Sequence, residues 1–192
     1  MKRTDEKYQA YVKILEEELV PAMGCTEPIA LAYAAAKARE TLGCLPDRVE
    51  IGASGRIIKN VKSVIVPNTG HLKGIPAAAA AGIVAGDASR ELEVIADVSE
   101  EETKAIAEYL KNTRITVEHI DQGITFDILV TVKKGDSYAR VRIANYHTNI
   151  VLVEKDGEKL LDLPVEGEKE EGSGRYIIQD LSLHIDQGKT VA

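Results

Sequence analysis

The chain has little of what many small proteins use for cross-links or aromatic packing. Among its 192 residues there is no tryptophan, one phenylalanine and two cysteines, and aromatic residues make up only 4%. Two cysteines, Cys25 and Cys44, are too few for a disulfide scaffold and too few for a self-sufficient four-ligand metal site. No lysine and arginine cluster stands against the formal net charge of -7, which argues against a surface built to neutralise nucleic-acid or anionic-membrane phosphates. Long apolar runs are missing too: residues 74–86 are small and apolar, but a bilayer span needs about 20 such residues. The N-terminus, with Lys2, Asp5, Glu6 and Lys7, does not follow the charge-then-apolar order of a signal peptide, so a cytoplasmic location is expected. The core must come from Ala, Val, Ile and Leu within the 44% of residues that are hydrophobic.

What is present is organised around residues 20–28. Pro21 and Gly24 break a first amphipathic helix, whose apolar positions Tyr8, Tyr11, Val12, Leu15 and Leu19 follow helical spacing. A short turn then delivers Cys25 to the start of a second helix, from about Thr26 to Leu42, rich in alanine. The partial positive charge at a helix N-terminus favours a thiolate, so Cys25 is placed either to bind metal or attack, or simply to fill space as a small hydrophobe beside a capping Thr26 and a first-turn Glu27. Cys44, in the loop that ends this helix, reads as structural.

From Asp47 onwards Val49 and Ile51 alternate with polar residues as a strand, and Ser63–Val66 reads as another. The Gly52-Ala53-Ser54-Gly55 turn matches no phosphate-binding fingerprint, whose glycines sit at fixed offsets. Residues 74–86 read as an Ala-rich helix packed tightly on the second one. Beyond residue 91 the pattern becomes strand (Leu92–Ala96), helix with a Ser99/Glu102 capping box, then strands at Ile115–Ile120, Phe126–Val132, Tyr138–Ala144 and Ile150–Glu154. The expected class is α+β: an Ala-rich helical layer with short strands, plus a small open-faced sandwich of strand-helix-strand followed by antiparallel hairpins. The expected domains are 1–90, carrying the Cys25 motif; 91–164, a small sheet module; 165–175, a flexible linker rich in Glu, Lys and Gly; and 176–192, the start of a missing C-terminal half. Asn145-Tyr146-His147-Thr148-Asn149 interrupts two strands and is either a polar hairpin loop or a binding element.

Taken in order, Gly24-Cys25-Thr26-Glu27-Pro28-Ile29-Ala30, then Lys59-Asn60-Val61-Lys62 with Val66-Pro67-Asn68-Thr69, then Gly74-Ile75 opening an Ala-rich helix, then His147-Thr148-Asn149-Ile150 form a string of motifs. The string resembles the N-terminal half of the L-cysteine desulfidase family, within the iron–sulfur serine dehydratase alpha-chain superfamily. The resemblance implies a lyase converting L-cysteine to pyruvate, ammonia and sulfide, or dehydrating L-serine. It implies a [4Fe-4S] cluster held by three cysteines, of which Cys25 is the one in this half, so that the chain alone is expected to hold no cluster and to be inactive. The expected partners are a small amino-acid substrate, a C-terminal half or partner chain supplying the other cysteines, and a possible second copy of the chain; nucleic acid and membrane are not among them.

Residue chemistry distributes the remaining roles. Glu27 and His147 are the candidate catalytic groups, Glu27 as base or as acceptor for a substrate ammonium. Thr26, Asn60, Asn68, Thr69, Thr148 and Asn149 are the candidate substrate-binding residues, and Cys25 is the candidate metal ligand. The rival readings are a non-catalytic small-ligand or interaction module, and a split-gene subunit active only in a heteromer.

Overall fold

The computed structural model describes residues 3–18 and 21–165. Helix α1 (Glu6–Glu18) comes first, followed by α2 (Thr26–Leu42), strand β1 (Arg48–Ala53), α3 (Gly55–Val61) and α4 (Gly74–Ala85). A 3-10 segment at Ala88–Glu93 leads to α5 (Glu100–Asn112), and then come β2 (Arg114–His119), β3 (Asp127–Lys134), β4 (Ser137–Ala144), β5 (Ile150–Lys155) and β6 (Glu158–Asp162). The class is α+β, as the sequence predicts.

The strands form one sheet in the order β2-β1-β3-β4-β5-β6. Strands β1 and β2 are parallel, and the remaining neighbours are antiparallel. Residues 1–90 and 91–164, read separately in the sequence, therefore share a sheet: β1 lies between β2 and β3, with Ile51 opposite both Val117 and Val130. Alternation sorts the two faces. Val49 and Ile51 of β1, Ile128, Val130 and Val132 of β3, and Ala139, Val141 and Ile143 of β4 are buried in the core that also contains α2 and α4.

The stretch Ile29–Ala36 of α2 is apolar all round because it is enclosed: these residues and Ala38 are buried, and the helix packs on α4, β3 and β4. The alanines permit close approach to α4, and one glycine makes it possible. A Cβ on Gly82 would overlap the carbonyl of Ala32, so at this crossing the two backbones touch with no side chain between them. Helix α5 opens with the expected capping box: the Ser99 hydroxyl accepts from the Glu102 N–H at 3.2 Å, and the Ser99 N–H donates to the Glu102 carboxylate at 2.9 Å.

Two local expectations give way, and one strand is unexpected. The apolar run at Ser63–Val66 is not a strand; lying in the connection between α3 and α4, it folds back on its own loop through an isolated bridge, Ile65 to Lys73. Leu92–Ala96 is not a strand either. Asp87 caps the segment by accepting from Ser89, and a short apolar run of this kind buries Leu92, Val94 and Ile95 equally well in a 3-10 turn. Strand β6, whose Leu160 is exposed on the sheet edge, shows too little alternation to read from sequence. The expected linker beyond Val165 and the segment 176–192 lie outside the described residues.

Candidate functional site

The site is built from the first turn of α2 outward. Gly24, at φ +81°, makes the turn that presents Cys25 as the N-cap of α2, with Thr26 and Glu27 following in the first turn. Cys25 is exposed and Glu27 half-buried. The Cys25 thiol donates to Glu27 Oε2 at 3.1 Å, and the Asn60 amide, from α3, donates to Glu27 Oε1 at 3.1 Å. Thr26 Oγ1 meets His147 Nε2 at 3.0 Å. One turn of helix thus gathers partners 33 and 121 residues away in sequence.

His147 sits in the loop between β4 and β5, against the chain's one phenylalanine. The Phe126 and His147 rings lie 4.5 Å apart, tilted by 60°. The loop is pinned by Asn145 N–H donating to Phe126 O at 2.9 Å and by the Asn149 amide donating to Ala144 O at 2.9 Å. Asn145 adopts a positive φ of 68° to make this turn.

Electrostatically the cluster is acidic. Burial pushes the Glu27 carboxyl up, but the Cys25 thiol, the residue's own backbone N–H, the Asn60 amide and nearby His147 outweigh it, and the net direction is below the ordinary carboxylate value. Burial lowers His147, and the positive charge of Arg56 adds to this against the opposing pull of Glu27, so the imidazole is held below its usual range. Cys25 moves the opposite way from the sequence expectation. Partial burial, then the hydrogen bond to the Glu27 carboxylate and its negative charge, raise the thiol above its ordinary value and outweigh the backbone N–H of Glu27, which favours the thiolate. At neutral pH the site holds a thiol, a neutral imidazole and one carboxylate.

The structure therefore brings together Cys25, Thr26, Glu27, Asn60 and His147. Asn68 and Thr69 lie on the neighbouring loop, whose Pro67 side chain would touch a Cβ on Gly24 at 3.7 Å. Their polar hydrogens serve the backbone: the Asn68 amide donates to Ile95 O and Ala96 O, and the buried Thr69 hydroxyl donates to Val66 O at 2.7 Å. Thr148 is half-buried in the His147 loop, and the Asn149 amide closes that same loop. Arg56 and Phe126 act on His147 without having been singled out in the sequence; the one signal available for Phe126 was its being the sole phenylalanine.

Among the described residues no group of three or more His, Cys, Asp or Glu side chains converges in a way that could hold a metal ion. The second thiol cannot help, because Cys25 and Cys44 flank opposite ends of the 17-residue α2, about 25 Å apart at 1.5 Å per residue. The described side chains do not fit an iron–sulfur cluster by themselves. No described helix is long and apolar enough to cross a membrane.

No protein-family model matches the chain, and no solved structure matches it. Curated relatives do. A UPF0597 protein of Desulfitobacterium hafniense (strain Y51) is 58% identical over 158 residues, covering 82% of this chain and 37% of its own length. A UPF0597 protein of Treponema denticola is 46% identical over 167 residues, covering 87% of this chain and 39% of its own length. One from Actinobacillus pleuropneumoniae serotype 3 is 37% identical over 195 residues, covering 98% and 45%. None of these relatives carries the name of an L-cysteine desulfidase or a serine dehydratase, so the family resemblance drawn from the motif string, and the lyase role that rested on it, are withdrawn. Over most of its own length the chain is similar to proteins named UPF0597, and it spans between 35% and 45% of the length of those relatives.

Proposed function

We propose that the start of α2 is a binding site for a small molecule carrying an ammonium group, an amino acid being the simplest such ligand. The observation that carries this reading is that the Glu27 charge is held by neutral donors with no cationic partner among the described residues. The carboxylate is half-buried, its partners Cys25 and Asn60 are neutral donors, and among the described residues no lysine or arginine forms an ion pair with it. The nearby imidazole is held neutral. The neutral donors favour the carboxylate form without neutralising it, and a carboxylate has about four lone-pair sites, so acceptor capacity is left for a further donor. An ammonium ion supplies both the charge and the donors.

In this reading Glu27 takes the ammonium, Asn60 orients the carboxylate, and the Thr26–His147 pair forms the opposite wall. Arg56, close enough to act on His147, provides positive charge for an anionic group on the same ligand. Polypeptide beyond this chain completes the site, as the greater length of the relatives supports.

The test is calorimetry with the full-length Desulfitobacterium relative and with this chain, using a panel of amino acids and their deaminated counterparts. Binding should require the amino group and weaken at least tenfold, about 1.4 kcal/mol, in Glu27→Gln. Equal affinity for amino and deaminated compounds, or an indifferent Glu27→Gln, would refute the reading.

A further inference from the structure

The His147 ring is held from two directions, by the Thr26 hydroxyl and by the Phe126 ring, and the residue after Phe126 carries an ion pair on the other face of the sheet. Asp127, only 1% exposed, receives a two-pronged contact from Arg142 of β4: Nε donates to Oδ1 and Nη2 to Oδ2, both at 2.8 Å. Arg142 Nη2 also donates to Gln122 Oε1 at 2.6 Å, tying down the loop between β2 and β3. Side chains alternate along β3, so Asp127 and Leu129 face away from α2 while Phe126 and Ile128 face the core. The ion pair and the Phe126 ring therefore leave neighbouring residues in opposite directions.

Three backbone connections of the segment 125–127 lead back to the site. Its carbonyls accept from Ser54 Oγ at Thr125 (2.7 Å), from Asn145 N–H at Phe126 (2.9 Å) and from Ser54 N–H at Asp127 (2.9 Å). Ser54 is the N-cap of α3, which carries Arg56 and Asn60; Asn145 begins the loop that carries His147. A closed circuit results: Glu27 to Asn60, along α3 to Ser54, across to residues 125–127, out to His147, and back through Thr26 to α2. At the point where α3 and the His147 loop are joined, the strand is fixed from behind by a charge pair that touches neither.

We propose that Asp127 and Arg142 are positioning residues for His147, acting through Phe126. A buried two-pronged ion pair is costly to assemble and a poor means of gaining stability, whereas its fixed geometry makes it a good way to set where a strand begins. Here the quantity set is the place of the Phe126 ring and carbonyl, and through them the orientation and dryness of the imidazole. The proposal bears on the ammonium site but does not need that site's ligand, so the two can fail separately.

The experiment follows the imidazole signal of His147 by NMR across pH in the 192-residue chain, with His71 as internal control. In Arg142→Lys, which keeps the charge and loses the fork, the His147 midpoint should rise towards that of a free imidazole by roughly half a unit as the ring regains water, with His71 unmoved. Phe126→Leu should produce a similar rise, and adding Arg142→Lys to Phe126→Leu should add little, because both act through one contact. An unchanged His147 midpoint in Arg142→Lys overturns the proposal, as does full additivity of the two changes. Should Arg142→Lys fail to fold, Asp127→Asn, which keeps the shape and a neutral acceptor, is read by the same criteria; if neither folds, the pair is a stability element and the proposal falls. Absence of ammonium binding in the unaltered chain, with the His147 midpoint rising in Arg142→Lys as expected, would count against the function proposed for Glu27 and leave this assignment standing.

Discussion

The crossing of α2 on α4 and the rim at the start of α2 belong to one helix, yet they use opposite materials. At the crossing, alanines and Gly82 leave nothing but backbone and methyl groups, with every polar group already paired inside its helix. At the rim, within one turn, a thiol, a hydroxyl, a carboxylate, an amide and an imidazole meet at exposed or half-buried positions. The crossing fixes where the helix lies; the rim spends that rigidity on holding polar groups that contribute little to stability. The comparison teaches that chemistry here is mounted on the end of a helix whose middle is buried and apolar, where the scaffold is firmly packed.

The strongest way to break the comparison is to disturb the crossing. Gly82→Val places a branched side chain into the Ala32 carbonyl, and helix and helix must separate. The expected loss is about 3 kcal/mol or more, roughly a 10 °C fall in Tm by calorimetry. A loss below about 1 kcal/mol would mean that the two helices have room to adjust and the scaffold is softer than the packing implies.

A smaller effect is expected where the rim reaches across the fold. Thr26→Ala removes the hydroxyl facing His147 and should cost about 1 kcal/mol, the usual value for one partly buried hydrogen bond. The same change should leave the crossing intact, so its cost should add to that of a mild crossing substitution such as Ala36→Gly.

These two regions also differ in how far the sequence revealed them. The crossing was legible, because a run of alanines with a glycine has no other economical use than close packing, and the capping box of α5 specified its helix start residue by residue. The cluster of Cys25 with Glu27 was legible as two neighbours in one turn. What could not be read was the direction of the thiol's shift, since that depends on a rotamer that points Glu27 at sulfur rather than at solvent. Nor could sequence show that the amides of Asn68 and Asn149 are turned to backbone carbonyls, because loop hydrogen bonds are settled by tertiary approach. The strand at Leu92–Ala96 failed for a related reason: a five-residue run that buries Leu92, Val94 and Ile95 satisfies a core in either conformation.

Acidification should sharpen the contrast, since only the rim contains groups that titrate. His147 is held below the ordinary imidazole value, so on lowering the pH the unfolded chain takes up a proton before the folded one does. Stability is therefore full above about pH 6.5 and declines as pH falls towards the folded value. Glu27, also lowered, contributes above the unfolded carboxyl value near 4.3 and loses that contribution below it, giving a second decline. Urea titrations at several pH values should show the upper decline reduced in His147→Gln. If that variant reproduces the wild-type profile, the imidazole is not held as the structure describes.

The smallest effect belongs to Cys25. Its thiol is exposed and donates to Glu27 without filling core space, so Cys25→Ser should change stability by less than about 0.5 kcal/mol, the hydroxyl replacing the thiol as donor to the same carboxylate. Reactivity, by contrast, should respond. Alkylation of wild-type Cys25 across pH should show a midpoint above that of an ordinary thiol, because burial and the Glu27 carboxylate both favour the protonated form. In Glu27→Gln one of those causes disappears, and the midpoint should move down while Tm stays nearly constant. An ammonium ligand should act in the same direction by neutralising Glu27, so a downward shift on adding an amino acid, absent with its deaminated counterpart, would report occupation of the rim through the sulfur beside it. A midpoint indifferent to both Glu27→Gln and the ligand would mean that the carboxylate does not govern the thiol, and the rim would then be a set of separate contacts and not one site.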